Sequence, residues 1–248
     1  MNSTLIVYFV YINPNVNWRK LILTQLKDIE KSGILQVSDL HIIVSNPSKV
    51  EDVEGFFENK VNLYKEIQFF YENRFEYWAL HHLWKVLNIN KNYDYCVYMH
   101  TKGMSYAKRK RNVHEKILTY YTCSYFEKCI KIFKEKQSVN KIGLFPANHI
   151  DDNDGKVGGW IWFNFWWARS SYIRNLEEPI ITDDRYYYEG WLSKIITDDD
   201  PLIDCYSLYP GEPKTLFTGA DAIELIKKLR YKVVLEKIKK YFFCIEPR

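Results

Sequence analysis

Three short stretches of this 248-residue chain carry side chains that could act together. The first is His100-Thr101-Lys102-Gly103, which closes the run "YCVYMHTKG". An ammonium and a hydroxyl beside a glycine turn, with backbone N–H groups bared by that turn, suit the oxygens of a phosphate or diphosphate. The imidazole could bind phosphate, orient a sugar hydroxyl or ligate a metal. The second is Asn164 within "WIWFNFWWA" (Trp160 to Ala168). An amide amid indoles needs hydrogen-bond partners, and with a neighbouring Trp it fits the wall of a sugar pocket. The third is Glu189 in "DRYYYEGWL". A carboxylate shielded by aromatic rings can serve as a general base. At helical i, i+4 spacing from Arg185 it equally suits a surface ion pair.

Other polar clusters have plainer readings. Lys108 to Arg111 ("KRKR") could meet a diphosphate, an anionic lipid surface or nucleic acid, and reads first as a solvated loop. Asp151 to Gly155 ("DDNDG") lacks the spacing and the distal bidentate Glu of a calcium loop and reads as a turn. His82 falls on an apolar helical stripe and reads as a packed core histidine.

The elements that must position these groups follow from periodicity. Leu5 to Ile12 is a continuous apolar run closed by Asn13-Pro14-Asn15, a buried first strand. Trp18, Ile22, Leu26 and Ile29 mark a helix that Ser32-Gly33 ends. Asp39 to Pro47 reads as a second strand and "NKVNLYKEI" as holding a short third. Phe75, Trp78, Ala79, His82, Leu83, Val86 and Leu87 keep the helical period before the strand tipped by His100. One long helix is expected through Ile117, Tyr121, Ile132 and Phe133, then strands over Lys141 to His149 and Trp160 to Ala168. Alternation in the latter would place Trp160, Trp162, Asn164 and Trp166 on one face and Ile161, Phe163, Phe165 and Trp167 on the other. Asp183 or Asp184 would cap a helix whose apolar face is Tyr188, Trp191, Leu192 and Ile195. A final amphipathic helix runs from Ala222 to Phe242. Strands alternating with helices imply an α/β fold, a mostly parallel central sheet flanked by helices. In such sheets ligands bind beyond the carboxyl ends of the strands, which is where His100 lies.

Composition narrows the classes. A hydrophobic content of 47% over this length supports one sizeable core or two small ones, in one domain by default. The net charge of +4, from scattered basic and acidic residues, does not indicate a nucleic-acid surface. Flat rings are abundant, with 8 Trp and 20 Tyr, and suit sugar faces as well as cores. Cys96, Cys123, Cys129, Cys205 and Cys244 form no CxxC pair and read as reduced core thiols. The N-terminal apolar run lacks a basic lead and is too short for a membrane span, so a cytoplasmic location is expected.

Taken in order, "YMHTKG", "NFWWARSSYI" and "DRYYYEGWL" resemble a family of glycosyltransferases found in large DNA viruses and bacterial polysaccharide gene clusters. There a strand ending in His-(Thr/Ser)-Lys-Gly is followed by an Asn-Phe-Trp-Trp-Ala strand and an Arg…Glu-x-Trp-Leu helix. The resemblance spans roughly residues 70 to 195. It implies a glycosyltransferase-A fold with a mixed sheet, moving a sugar from a nucleotide-sugar donor, UDP-sugar favoured, to a glycan or other hydroxyl acceptor. By this resemblance His100, Thr101, Lys102 and Gly103 lie near the donor diphosphate. Tyr11, at the end of the first strand, is expected on the donor side with them. Asn164, Trp166 and Trp167 match the Asn-Phe-Trp-Trp-Ala element and wall the sugar and acceptor pocket, and Trp160 is expected on the acceptor side with them. Glu189 is the base for an inverting transfer.

Two departures stand out. Trp160-Ile161-Trp162-Phe163 occupies the place of a frequent His-Phe-Ser-Gly lead. No Asp-x-Asp closes the strand, whose Asp94 lies at its start, which leaves dependence on Mg²⁺ or Mn²⁺ open. The expected organisation is a catalytic domain over residues 1–219 and an amphipathic segment over 220–248 that packs on it, on a partner or on a membrane surface; for a viral chain the compartment is the host cytoplasm. The competing classes are a non-catalytic carbohydrate-binding protein and a glycoside hydrolase, which needs two carboxylates flanking one bond.

Overall fold

Every residue from Leu5 to Val10 is buried, because the strand they form has a packed layer on each face. In the computed structural model, which describes residues 3–101, 113–148, 159–194, 204–210 and 217–229, this strand is β1 (Thr4–Tyr11). The chain continues through α1 (Trp18–Ser32), β2 (Ser38–Ser45), α2 (Val53–Glu58), β3 (Glu66–Phe70), α3 (Tyr77–Ile89) and β4 (Tyr95–His100). After these come α4 (Val113–Ser124), α5 (Phe126–Glu135), β5 (Lys141–Gly143), β6 (Pro146–Asn148), β7 (Gly159–Ile161) and β8 (Trp166–Arg169). The remaining elements are α6 (Ser170–Asn175), α7 (Arg185–Gly190) and β9 (Cys205–Ser207), and residues 219–229 are helical.

A seven-stranded sheet has the order β3-β2-β1-β4-β8-β5-β9, and β6 pairs with β7 in a second sheet. Neighbours in the large sheet are parallel except around β8, which runs antiparallel to both β4 and β5. The fold is therefore α/β with a mixed, mostly parallel central sheet. Alternation along β1 feeds two cores. Ile6, Tyr8 and Val10 pack with Ile22, Leu118 and Phe133 of α1, α4 and α5. Leu5, Val7 and Phe9 pack with Leu80, Leu83 and Ile173 of α3 and α6 on the opposite face. Each such fully buried aliphatic side chain contributes about 1.5–3 kcal/mol of transfer free energy, which is why the strand sequence is apolar without a break. Among the described residues no helix is long and apolar enough to cross a membrane.

The local signals that fix element ends are realised at two helices. The Asn17 side chain accepts a hydrogen bond from the Lys20 N–H to start α1, and Gly33, at φ 83°, ends it in the left-handed conformation that favours glycine. Asp184 caps α7 by accepting from the Tyr186 N–H. Elsewhere the structure departs from expectation. The single helix expected from Ile117 to Phe133 is two, broken at Tyr125, whose ring folds back onto Tyr120 and Tyr121. The strand expected from Lys141 to His149 is divided between β5 and β6, which belong to different sheets. The strand expected from Trp160 to Ala168 is interrupted at 162–164, because Phe163 and Asn164 take positive φ. Its two-face alternation therefore fails: Ile161 and Trp166 enter one core, Phe165 and Trp167 the other.

Cys96, Cys123, Cys129 and Cys205 are buried free thiols, and Cys244 lies outside the described residues. Ala222, Ile226 and Leu229 of the last described helix join the core that includes Ile6, Tyr8 and Val10, while the rest of that segment, to Phe242, is outside the described residues. His82 is buried on α3, as its stripe position predicts. A buried cation was not foreseen. Lys141, with no exposed side-chain surface, places Nζ 2.8 Å from Asp204 Oδ2 and donates to the Gly159 carbonyl at 2.7 Å and the Tyr172 hydroxyl at 3.1 Å.

Close packing in this half of the sheet predicts one intolerant position. A Cβ at Gly143 would collide with Ile161 Cγ2 and lie 3.1 Å from the Phe165 carbonyl oxygen. Gly143→Ala is expected to lose about 1–3 kcal/mol through overpacking, read as a lower urea midpoint. An unchanged midpoint would mean that β7 yields without strain.

Candidate functional site

The strand order turns back on itself between β1 and β4: β1, β2 and β3 progress outward on one side, and β4 is laid down on the other. Such a reversal opens a crevice at the carboxyl edge, where loops diverge in opposite directions. Tyr11 and His100 end the two strands that flank it. Their tips are tied together, since the Tyr11 N–H donates to Thr101 Oγ1 at 2.9 Å and the Thr101 N–H donates to the Phe9 carbonyl at 2.9 Å. Lys102 and Gly103 lie outside the described residues, as do Lys108 to Arg111 and Asp151 to Gly155.

The antiparallel sense of β8 brings the aromatic stretch to the same edge. Tyr98 is paired with Trp166, so the residues entering β8 emerge beside the tip of β4. His100 Nε2 lies 3.0 Å from the Phe163 carbonyl, so this nitrogen carries the ring proton and donates it. The ring also packs at 5.0 Å from Phe165. Phe163 has φ 73° and Asn164 φ 54°. Asn tolerates the left-handed region, whereas a Phe held there stores on the order of 1–3 kcal/mol, which its surroundings must offset.

Asn164, 3% exposed, is the joint of the arrangement. Its Nδ2 donates to Glu76 Oε2 at 2.9 Å and to the Tyr188 carbonyl at 3.2 Å, and its Oδ1 accepts from Trp166 Nε1 at 3.0 Å. The amide thus joins the loop before β8 to α7 and to the start of α3. Trp166 and Trp167 are fully buried; the second donates from Nε1 to the Thr122 carbonyl at 2.8 Å. Both support the site from the core. Trp160 is 9% exposed, against Trp162 at 4.4 Å between ring centroids. Glu189, next to Tyr188 on α7, is part-exposed and forms the i, i+4 ion pair with Arg185 at 3.6 Å.

Two contributors escaped the sequence. Glu76, half-buried just before α3, accepts from the Tyr98 hydroxyl at 2.7 Å as well as from Asn164. Burial, and then the Glu76 charge, push the Tyr98 hydroxyl well above its ordinary range, so it stays a donor. Nothing in the local pattern marks Glu76. Gln25 did leave a signal, a polar residue on the apolar stripe of α1. It accepts from the Tyr8 hydroxyl at 2.8 Å and donates to the His100 carbonyl at 3.3 Å and to Thr119 Oγ1 at 3.1 Å, and Thr119 in turn donates to buried Glu115. This buried network fixes the β4 tip from below.

The Tyr188 carbonyl thus ties α7 to the ordered Asn164 amide, and part-exposed Glu189 is the next residue. Mg²⁺ is commonly held by one or two carboxylates together with phosphates of the substrate. Of the carboxylates on these elements, Glu76 accepts from the Tyr98 hydroxyl and Glu189 pairs with Arg185.

No protein-family model matches the chain, and no curated protein matches it. Among solved structures the chain is similar to a provisionally named nucleotide-diphospho-sugar transferase from Desulfovibrio desulfuricans G20. That likeness has 14% identity and a TM-score of 0.36, covering 93% of this chain and 78% of that one. At that level it leaves function to be argued from the site.

Proposed function

We propose that the chain is a glycosyltransferase of glycosyltransferase-A type that moves a sugar from a nucleotide-sugar donor, a UDP-sugar by preference, to a glycan or other hydroxyl acceptor. One observation carries the reading. The bonds Tyr11–Thr101, His100–Phe163 and Asn164–Tyr188 tie three stretches distant in sequence to one edge of a mixed α/β sheet, at its topological switch point. These are the stretches whose residues resemble the transferase motifs.

In this reading Lys102 neutralises charge developing on the diphosphate leaving group. The Glu189 carboxylate takes the acceptor hydroxyl proton as that oxygen attacks the anomeric carbon in line and the bond to the diphosphate breaks, inverting the configuration. His100 and Thr101 border the donor with Tyr11. Asn164 and Trp160 border the acceptor, and Trp166 and Trp167 hold that wall in place. Glu76 positions Asn164. The setting is cytoplasmic.

A thermal-shift panel of UDP-, GDP-, CMP- and dTDP-sugars, each with and without Mn²⁺, tests the proposal. A donor at a hundred times its Kd adds about 2.7 kcal/mol and raises the melting temperature. The same mixtures, assayed for slow release of free sugar, separate a transferase from a lectin. A panel with no shift and no released sugar would remove the reading.

A further inference from the structure

Away from the carboxyl edge, three metal-ligating side chains from three elements converge. His41 of β2 and Glu66 of β3 are register partners on adjacent strands, and His82 projects from α3 above them. His41 Nδ1 lies 2.9 Å from His82 Nε2 and 3.4 Å from Glu66 Oε2. All three candidate ligand atoms fall within 4.8 Å of one another. Among the described residues this is the one such group of His, Cys, Asp or Glu. It stands four strand positions before Ser45, roughly 13 Å from the β2 tip, and so is separate from the proposed transfer site.

We propose that His41 Nδ1, His82 Nε2 and Glu66 Oε2 bind a divalent transition-metal ion of the zinc type, with solvent as the fourth ligand on the exposed side of Glu66. The donor set of two imidazoles and a carboxylate suits zinc, and an all-oxygen cation such as Mg²⁺ or Ca²⁺ would not choose it. Bonds of about 2.0–2.1 Å in a tetrahedron hold ligand atoms about 3.3 Å apart, so the His41–Glu66 distance already fits and the two nitrogens need part by only a few tenths of an ångström.

The two inward nitrogens do not both carry a proton, because their N–H groups would face each other at 2.9 Å, so at least one ring turns a lone pair inward. Both rings are buried, and neutral imidazole is the form that ligates a metal. Glu66 is oriented in turn by Gln68, whose Nε2 donates to Oε1 at 2.6 Å, the kind of outer support that metal ligands use. The consequence is structural. β3 is the last strand on its side of the sheet and every one of its residues is part-exposed, so an ion shared with β2 and α3 fastens a strand otherwise held along one side only.

The test is calorimetric titration of the metal-stripped full chain with Zn²⁺, with Co²⁺ as a spectroscopic substitute. Zinc is expected to bind at micromolar or tighter affinity and raise the melting temperature, and Co²⁺ to show the intense visible absorption of a tetrahedral nitrogen–oxygen site. Glu66→Ala, at a part-exposed position that leaves the core intact, is expected to weaken binding by about tenfold or more and to abolish the thermal shift. His82→Asn, checked for native circular dichroism, is expected to lose the Co²⁺ band; if it does not fold, Glu66→Ala decides. No zinc binding, undiminished binding in Glu66→Ala, or a Co²⁺ spectrum of octahedral or thiolate character overturns the proposal.

Discussion

Asp204→Ala is expected to cost about 3–5 kcal/mol of folding stability, because it strands a buried ammonium. Lys141 has no exposed side-chain surface, and its carboxylate partner is 7% exposed at 2.8 Å. The Asn140 and Lys141 N–H groups bond to the Asp204 backbone carbonyl, so the substitution leaves that main-chain link in place and isolates the charge. The remaining contacts of Nζ, the Gly159 carbonyl and the Tyr172 hydroxyl, are neutral and cannot replace a counter-charge. Lys141→Met with Asp204→Leu removes both charges at similar volume and is expected to recover most of the loss. Urea unfolding followed by tryptophan fluorescence measures both variants. A loss below about 1 kcal/mol for Asp204→Ala would mean that water reaches the ammonium once the carboxylate is gone.

The second large effect concerns turnover. Glu189→Gln is expected to lower it about 10²- to 10⁴-fold, roughly 3–5 kcal/mol of barrier, with little change in donor affinity. Gln keeps the shape of the side chain and removes only its capacity to take a proton. Glu76→Gln supplies the comparison. Its Oε2 receives both Tyr98 and Asn164, so the variant disturbs the placement of the amide and is expected to lower turnover while leaving the acidic limb of the pH–rate profile intact. The same limb should vanish in Glu189→Gln. If Glu76→Gln loses the limb and Glu189→Gln keeps it, the base has been assigned to the wrong carboxylate.

Much of the scaffold was legible because its signals are local. The apolar run of β1, the stripe and Gly33 stop of α1, the stripe of α3 and the Asp184 cap all act within a few residues, so spacing reveals them. The errors came where distant contacts override local pattern. "WIWFNFWWA" alternates like a strand, yet His100 donates to the Phe163 carbonyl and Glu76 accepts from the Asn164 amide, Phe163 and Asn164 sit in left-handed geometry, and the strand breaks there. Asn164 could be picked out because an amide among indoles must find partners; which partners depended on the topology. Glu76, His41 and Lys141 gave no such sign. Each acquires its meaning from a residue on another element, and no periodicity encodes that.

The reversed strand β8 has a consequence for how the chain is made. The half-sheet from β1 to β4 can assemble as soon as those residues leave the ribosome, but the outer side of β4 finds its partner only when Trp166 and its neighbours follow. At ordinary rates of synthesis that interval is roughly 3–14 s, during which an apolar strand edge stands open to any other nascent chain. Yield in cells should therefore depend on translation speed between these two strands and on helper proteins that shield the edge, even for variants whose final stability is unchanged.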